Sequence, residues 1–462
     1  MIDKLQKALE AISSSKYDYL EARYHSRNLN SVVVENGTVK EARSGTTEGT
    51  SIRALVEGSW GSMTLESQDI KEIQRGFLKC IDLARLSRPL KRERVSLAEI
   101  PISEDIVKPK LKNPSNEIPI SEKIDLCLTT EKAIRSHNDA MVQGLANYFD
   151  VTDFKIFLSS EGTKLELHDQ KTTLLLSGIA KKEGILSPAT SRMAGSMGFE
   201  IFENNDAVNL SHKIAERAFR LTTAKFAPSG KHMVILGPQL VRLLAHEAFG
   251  HTNEADLVIG GSVLKGRVGD KIANENITIL DDPKHPGSFG WLPEYDDEGT
   301  PTQTTVMVDK GILKTHLHNR ESAAELNAKP TGNARAFNHQ FDPLIRMTNS
   351  VILGGDSSLE EMLSEAKNAI LLEGRRMGQA DSNGEFMFGV QQGREIKNGE
   401  LTDNFYRAVT ISGIALDVLQ KTKLLSKEVQ HRFAGFCGKG QTAFTGGGGP
   451  YMLTELNVGG RQ

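Results

Sequence analysis

The chain has 462 residues, 38% of them hydrophobic and 25% charged, a balance that excludes a disordered polymer and describes a soluble globular protein. That length exceeds one ordinary core and suits two large domains or three smaller ones. A formal net charge of -3 provides no general attraction to nucleic acid or to an anionic membrane, so neither is an expected partner.

Ile2, Leu5, Leu9 and Ile12 mark an amphipathic first helix interrupted by Asp3, Lys4, Lys7 and Glu10, which is not a signal-peptide pattern. No apolar run approaches the roughly 20 residues that span a bilayer. Three cysteines in so long a chain suit a reducing compartment, and the expected location is cytoplasmic.

From Tyr17 the period changes. Tyr17 to Arg27 alternates loosely, Val32 to Val34 leads into Asn36-Gly37, and Ile52 to Val56 leads into Glu57-Gly58 and Trp60, a succession of hairpins. A helix from Asp69 to Leu86 closes this unit. Five prolines between Pro89 and Pro119 then punctuate residues 87–119, read as a linker or surface excursion; its basic run Lys91-Arg92-Glu93-Arg94 reads as a solvated face. A helix near Ser121 to Ser136 follows, then alternating segments at Phe154-Ile156-Leu158, Leu165-Leu167 and Leu174-Leu176, and a helix with Ala207, Leu210, Ile214 and Leu221 on one side. The repeated order predicts one α+β N-terminal domain, residues 1–225, with a shared antiparallel sheet. Cys80 and Cys127 each fall on the apolar face of a helix and read as buried packing residues.

Residues 226–462 are expected to form a β-rich C-terminal domain that carries a motif helix. A strand at Met233 to Leu236 feeds this helix, and Pro238 suits its first position because the missing donor would be unpaired there anyway. Leu240, Val241, Leu243 and Leu244 form its apolar stripe, and Glu247 and His251 extend that stripe, seven residues beyond Leu240 and Leu244. A carboxylate and an imidazole on a buried face call for a compensating cation. In His-Glu-x-x-His zinc peptidases the two histidines lie about one turn apart. Here His246 and His251 are five positions apart, about 140° on an ideal helix. A π-type turn would realign them, and Gly250 permits either that distortion or a helix end that swings His251 back.

Further on, turn pairs at Asp309-Lys310-Gly311, Asp381 to Gly384 and Asn398-Gly399 separate short alternating segments. Helices are expected at Leu359 to Leu371 and Ile414 to Lys421. Gly446 to Gly449 lack a Gly-Lys-Ser/Thr ending and read as a flexible or metal-adjacent loop rather than a phosphate cradle. Cys437 sits in Gly435-Phe436-Cys437-Gly438-Lys439-Gly440, where the glycines allow a sharp turn and Lys439 favours thiolate; a ligand loop and an ordinary loop cysteine both fit.

His-Glu-Ala-x-Gly-His-x-x-Glu-Ala-Asp, residues 246–256, resembles the signature of the TldD/PmbA family, metallopeptidases also labelled modulators of DNA gyrase. Arg346-Met347-Thr348-Asn349, Phe386 to Gly389, Thr410-Ile411-Ser412-Gly413 and Phe436 to Lys439 match as well, and the resemblance runs over essentially the whole length. It implies a peptidase with one Zn2+ per chain, held by His246, His251 and Cys437, with Glu247 as the base and small or unfolded polypeptides as substrates. It also implies a homodimer, or a heterodimer with a PmbA-type sister that lacks the ligands. The ligand-less partner subunit and the DNA gyrase modulator are the alternatives; complete ligands argue against the first, and the acidic balance against the second.

Glu254 and Asp256 have two readings, as acceptors that orient the imidazoles or as a carboxylate replacing Cys437 in the ligand set. For a developing oxyanion the candidates are His339 and Arg346, the latter equally an anchor for its own motif.

Overall fold

The computed structural model describes residues 1–90, 93–284, 288–292, 294–431 and 433–460. Lys91 and Arg92 of the basic run lie outside the described residues. No helix among the described residues is long and apolar enough to cross a membrane.

The first seven strands, β1 (Tyr19–Glu35), β2 (Thr38–Val56), β3 (Ser59–Leu65), β4 (Glu104–Val107), β5 (Met141–Ser159), β6 (Lys164–Lys182) and β7 (Ile185–Gly195), form one sheet. Its order is β3-β2-β1-β5-β6-β4, with β7 also on β6. Every pairing is antiparallel except β4 with β6. Asn36-Gly37 and Glu57-Gly58 close their hairpins with positive φ at both positions, the backbone twist that tight two-residue turns require.

Helices α1 (Ile2–Glu10) and α2 (Ile70–Ser87) cover one half of this sheet, burying Leu5, Phe77 and Cys80 against Ile52 and Ile156. The other half is covered by α3 (Ile120–Arg135) and α4 (Asp206–Leu221), which bury Cys127, Ile134 and Ile214 against Val32 and Leu174. The proline-punctuated stretch is more than a linker. Within it β4 lies parallel to Lys164–Leu167, and the Ser115 backbone N–H donates to Gln170 Oε1, so paired edges hold it on the sheet.

Three further sheets follow among the described residues, the smallest being the two-stranded pair of Ala334–Arg335 with Leu344–Ile345. An eight-stranded sheet is built on β8 (Lys225–Phe226) and β9 (Gly230–Leu236), and the C-terminal strand Met452–Gly459 lies between β9 and Val409–Ile414. A six-stranded sheet ends in the hairpin of Gly435–Lys439 and Gln441–Gly448. Between them runs α5 (Pro238–Leu243), whose Leu240 and Val241, with Leu244 and Phe249 beyond its end, join Val234, Leu372, Phe388 and Met452 in the largest apolar core.

Three expectations need correction. The helix beginning at Leu359 stops at Ala366, because Lys367 has φ 52° and Ala369–Ala380 then pairs as a strand with β9. Gly446 to Gly448 are strand rather than loop, paired in parallel with Asn349–Val351. Cys437 likewise sits on a strand, opposite Ala443.

A seam of buried charge joins the seven-stranded sheet to the rest. Arg53 Nε donates to Glu21 at 2.6 Å while its Nη2 is 3.2 Å from Glu298. Lys155 Nζ lies 2.8 Å from Asp297, and Arg320 grips both oxygens of Glu161 at 2.8 and 2.9 Å. Deeper in the sheet, Asp153 accepts from both Arg27 Nε and Nη2 at 2.7 Å and meets His25 Nε2 at 2.8 Å.

Candidate metal centre

Pro238 occupies the start of α5, as its missing donor suggests, and the helix changes character at Leu244. Leu244–Gly250 form a π-helical turn in which the His251 N–H donates to the His246 carbonyl, five residues back. This extra residue per turn brings the two imidazoles onto one side: their centroids are 5.2 Å apart with the planes at 75°. Gly250 matters here for space rather than φ. A Cβ at that position would fall 2.0 Å from Met347 Sδ and 3.0 Å from the Ala245 carbonyl.

Cys437 arrives from the hairpin strand, with its Sγ 3.0 Å from His251 Nε2. One ligand-type atom from each of His246, His251 and Cys437 lies within 4.8 Å of the other two. A tetrahedral zinc site, with bonds of about 2.0–2.3 Å, needs donor separations of roughly 3.5 Å, so a small adjustment accommodates an ion. The donor chemistry fits too. His246 is buried, yet neither ring nitrogen has a hydrogen-bond partner among the described residues, a cost that a bound cation removes. Burial first, then Arg242, His251, Arg346 and Arg375, hold this imidazole well below its usual pKa and therefore neutral, the form that ligates.

Glu254 is fully buried and its Oε2 lies 2.9 Å from His251 Nδ1, which leaves Nε2 facing Cys437. Burial opposes ionisation of Glu254, but His251, Lys439 and Arg346 outweigh it and hold the carboxyl below its ordinary range. For His251 burial acts against the charged form; Glu254 and Cys437 prevail and raise it to about 10 in the metal-free protein. Lys439 pairs with the acids, 3.0 Å from Glu254 and 2.8 Å from Asp256. Asp256 is accordingly drawn to a lysine, and the orienting contact belongs to Glu254. Glu247 remains part-exposed beside the cluster, 3.7 Å from His251 Nε2.

The two oxyanion candidates stand differently. Arg346 donates to the carbonyls of Cys437 and Gln441 at 2.8 and 2.7 Å, so both terminal nitrogens of its guanidinium fasten the strands of the Cys437 hairpin. His339 packs against Gly49 of β2, with Glu66 and Arg23 as its charged neighbours, which places it on the N-terminal sheet.

Sequence reasoning passed over Arg242 and Arg375. Arg242 is buried and donates to Thr445 Oγ1 and the Gly446 carbonyl. Burial and Arg375 lower it to about 10, and attraction to Glu247 partly offsets this; Glu247 likewise opposes the depression of Arg375 by burial. Arg242 lies four residues before His246, a helical spacing that gave a signal; Arg375 had none.

Comparison with known proteins finds matches over most of the chain. Three family models match in succession: PmbA/TldA metallopeptidase domain 1 over residues 20–85, the central domain over 113–225 and the C-terminal domain over 229–460. A metalloprotease of Methanocaldococcus jannaschii is 34% identical over 99% of both chains. A zinc metalloprotease TldD homolog of Saccharolobus solfataricus is 30% identical over 96% of this chain and 98% of its own. Among solved structures, TldE from Thermococcus kodakarensis superposes with a TM-score of 0.82 at 20% identity, covering 99% of this chain and all of that one, a likeness of fold.

Proposed function

Because the chain belongs to the PmbA/TldD metallopeptidase family, we propose that it is a zinc-dependent member of the catalytic type, hydrolysing peptide bonds of small or unfolded polypeptides. The observation that carries this reading is the convergence of His246, His251 and Cys437, with a buried imidazole whose nitrogens are otherwise unpartnered. These three residues would hold one Zn2+ per chain. When bound, the ion supplies Lewis acidity, lowering the pKa of a water from about 16 toward about 7.

The protein's own groups do the rest. Glu247, part-exposed and close to the cluster without being one of the three donors, takes the proton of the attacking water and passes it to the leaving amine. Glu254 fixes the His251 ring and its tautomer, and Arg346 holds the Cys437 backbone in register. The working assembly is a dimer, of this chain with itself or with a ligand-less sister, and light scattering of the purified chain alone and of the mixture separates the two.

Metal analysis joined to a peptide-cleavage assay, before and after chelation, tests the reading. Stoichiometric zinc and cleavage that is lost on chelation and restored by zinc are expected. A zinc-loaded protein that cleaves no peptide would remove the catalytic role.

A further inference from the structure

A cleft of about 400 Å³ opens beside the metal centre, between β7 of the N-terminal sheet and the strand Ala369–Ala380. Arg192, Arg375 and Arg376 line it together with Gln239, Gln391 and Phe433. Its walls belong to the elements that build the centre. Gln239 lies on α5, seven residues before His246, and accepts from the Arg375 backbone. The guanidinium of Arg192 stacks over Phe436, the residue before Cys437, at 5.0 Å. Arg375 donates to the Ala434 carbonyl and feels the field of Glu247.

What the cleft lacks is an acid. Arg192 Nε is buried without a hydrogen-bond partner, and among the described residues neither Arg192 nor Arg375 has a carboxylate within ion-pair distance. The two guanidinia repel each other: burial depresses Arg192 to about 10 and Arg375 contributes to that fall. Two other buried arginines are neutralised, Arg53 by Glu21 and Glu298 and Arg27 by Asp153, whereas Arg242 and Arg346 direct their donors to carbonyls. Two planar forks with free donors in an open cleft match the bidentate geometry of a carboxylate.

We propose that this cleft anchors a carboxylate of the peptide substrate, its free C-terminus or an acidic side chain, on Arg192 and Arg375. The assignment rests on the peptidase reading for the word substrate, while the binding it predicts is independent of turnover. An anchored carboxylate fixes which end of a short peptide lies beyond Glu247 and confines cleavage to bonds near that anchor. It also adds attraction for peptides, which carry this group wherever they end.

The test uses zinc-loaded protein with Glu247→Gln, so that nothing is consumed. Fluorescence anisotropy compares one short labelled neutral peptide as the free acid, as the C-terminal amide, and as the amide with aspartate in its last position. The free acid is expected to bind about tenfold more tightly than the plain amide, an advantage that shrinks with salt and disappears in Arg192→Met with Arg375→Met. Recovery by the aspartate amide assigns the group to a side chain, and failure to recover assigns it to the C-terminus. Equal binding of all three peptides to the parent, a comparison that needs no arginine variant, overturns the proposal. Cleavage by the unsubstituted enzyme judges the peptidase reading separately: an enzyme that cleaves both acid and amide equally keeps its activity and loses this site.

Discussion

The charged seam between the sheets and the candidate metal centre are both buried and both rich in ionisable groups, yet their key side chains are partnered differently. In the seam Arg53 faces Glu21 and Glu298, Lys155 faces Asp297, and Arg320 faces Glu161. At the centre both nitrogens of His246 are unpartnered among the described residues, and the neighbouring cleft is lined by three arginines and no acid. Saturated networks hold pieces of a protein together, because each group already has the partner that its desolvation demands. Unsaturated groups, equally costly to bury, mark where something else must bind.

The sharpest way to break the contrast is to remove a donor from the unsaturated side. Cys437→Ala or His246→Ala should lose bound zinc and, with it, cleavage by about a thousandfold or more, while thermal stability of the metal-free form changes little. A Cys437→Ala protein that keeps zinc as tightly as the parent would return the third position to a carboxylate. Next in size, Glu247→Gln should retain zinc and lower kcat by about a hundred- to ten-thousandfold; kcat within twofold of the parent would take Glu247 out of the mechanism. Glu254→Gln removes the orienting acceptor of His251 and should weaken metal affinity by about 10- to 100-fold, read by competition with a chelating dye.

Substitutions in the seam should behave in the opposite sense, touching stability and leaving zinc affinity alone. Asp297→Asn strands Lys155 and weakens the acceptor of the Ala336 N–H, with an expected loss of about 2 kcal/mol in urea unfolding. The remaining effect is in pH. Burial, the larger cause, brings His25 down to about 4 despite Asp153, and does the same to His318 with help from His316. Folded pKa values below the ordinary 6.5 mean that the unfolded chain binds protons first. Stability from these two residues is therefore complete above about pH 6.5 and declines as pH falls toward 4, each contributing a slope of up to about 1.4 kcal/mol per pH unit. If His25→Asn leaves the slope of the unfolding midpoint unchanged, this account of the seam is wrong.

The comparison also explains what could be read from the sequence. The five-residue interval between His246 and His251, with Gly250 inside it, called for a π turn because an ideal helix would separate the rings, and that turn is present. Hairpins closed by Asn36-Gly37 and Glu57-Gly58 were legible from local turn chemistry. Misread elements are those decided at long range. Gly446 to Gly448 have little strand propensity of their own, and parallel pairing with Asn349–Val351 overrides it. Ala369 to Leu372 fit a helix or a buried strand equally well until Lys367 breaks the chain direction. Arg192 and Arg375 lie 183 positions apart by subtraction of their residue numbers, so no local pattern announces the cleft that they share.

The thiol enters 186 residues after His251, and the strand Met452–Gly459 is inserted beside β9, in the interior of its sheet rather than at the rim. A nascent polypeptide still short of these positions carries both imidazoles but lacks the sulfur and the adjoining strand. The candidate metal centre is therefore a product of the tertiary fold and of no local segment: a polypeptide cut ahead of Cys437 keeps only two of the three converging donors.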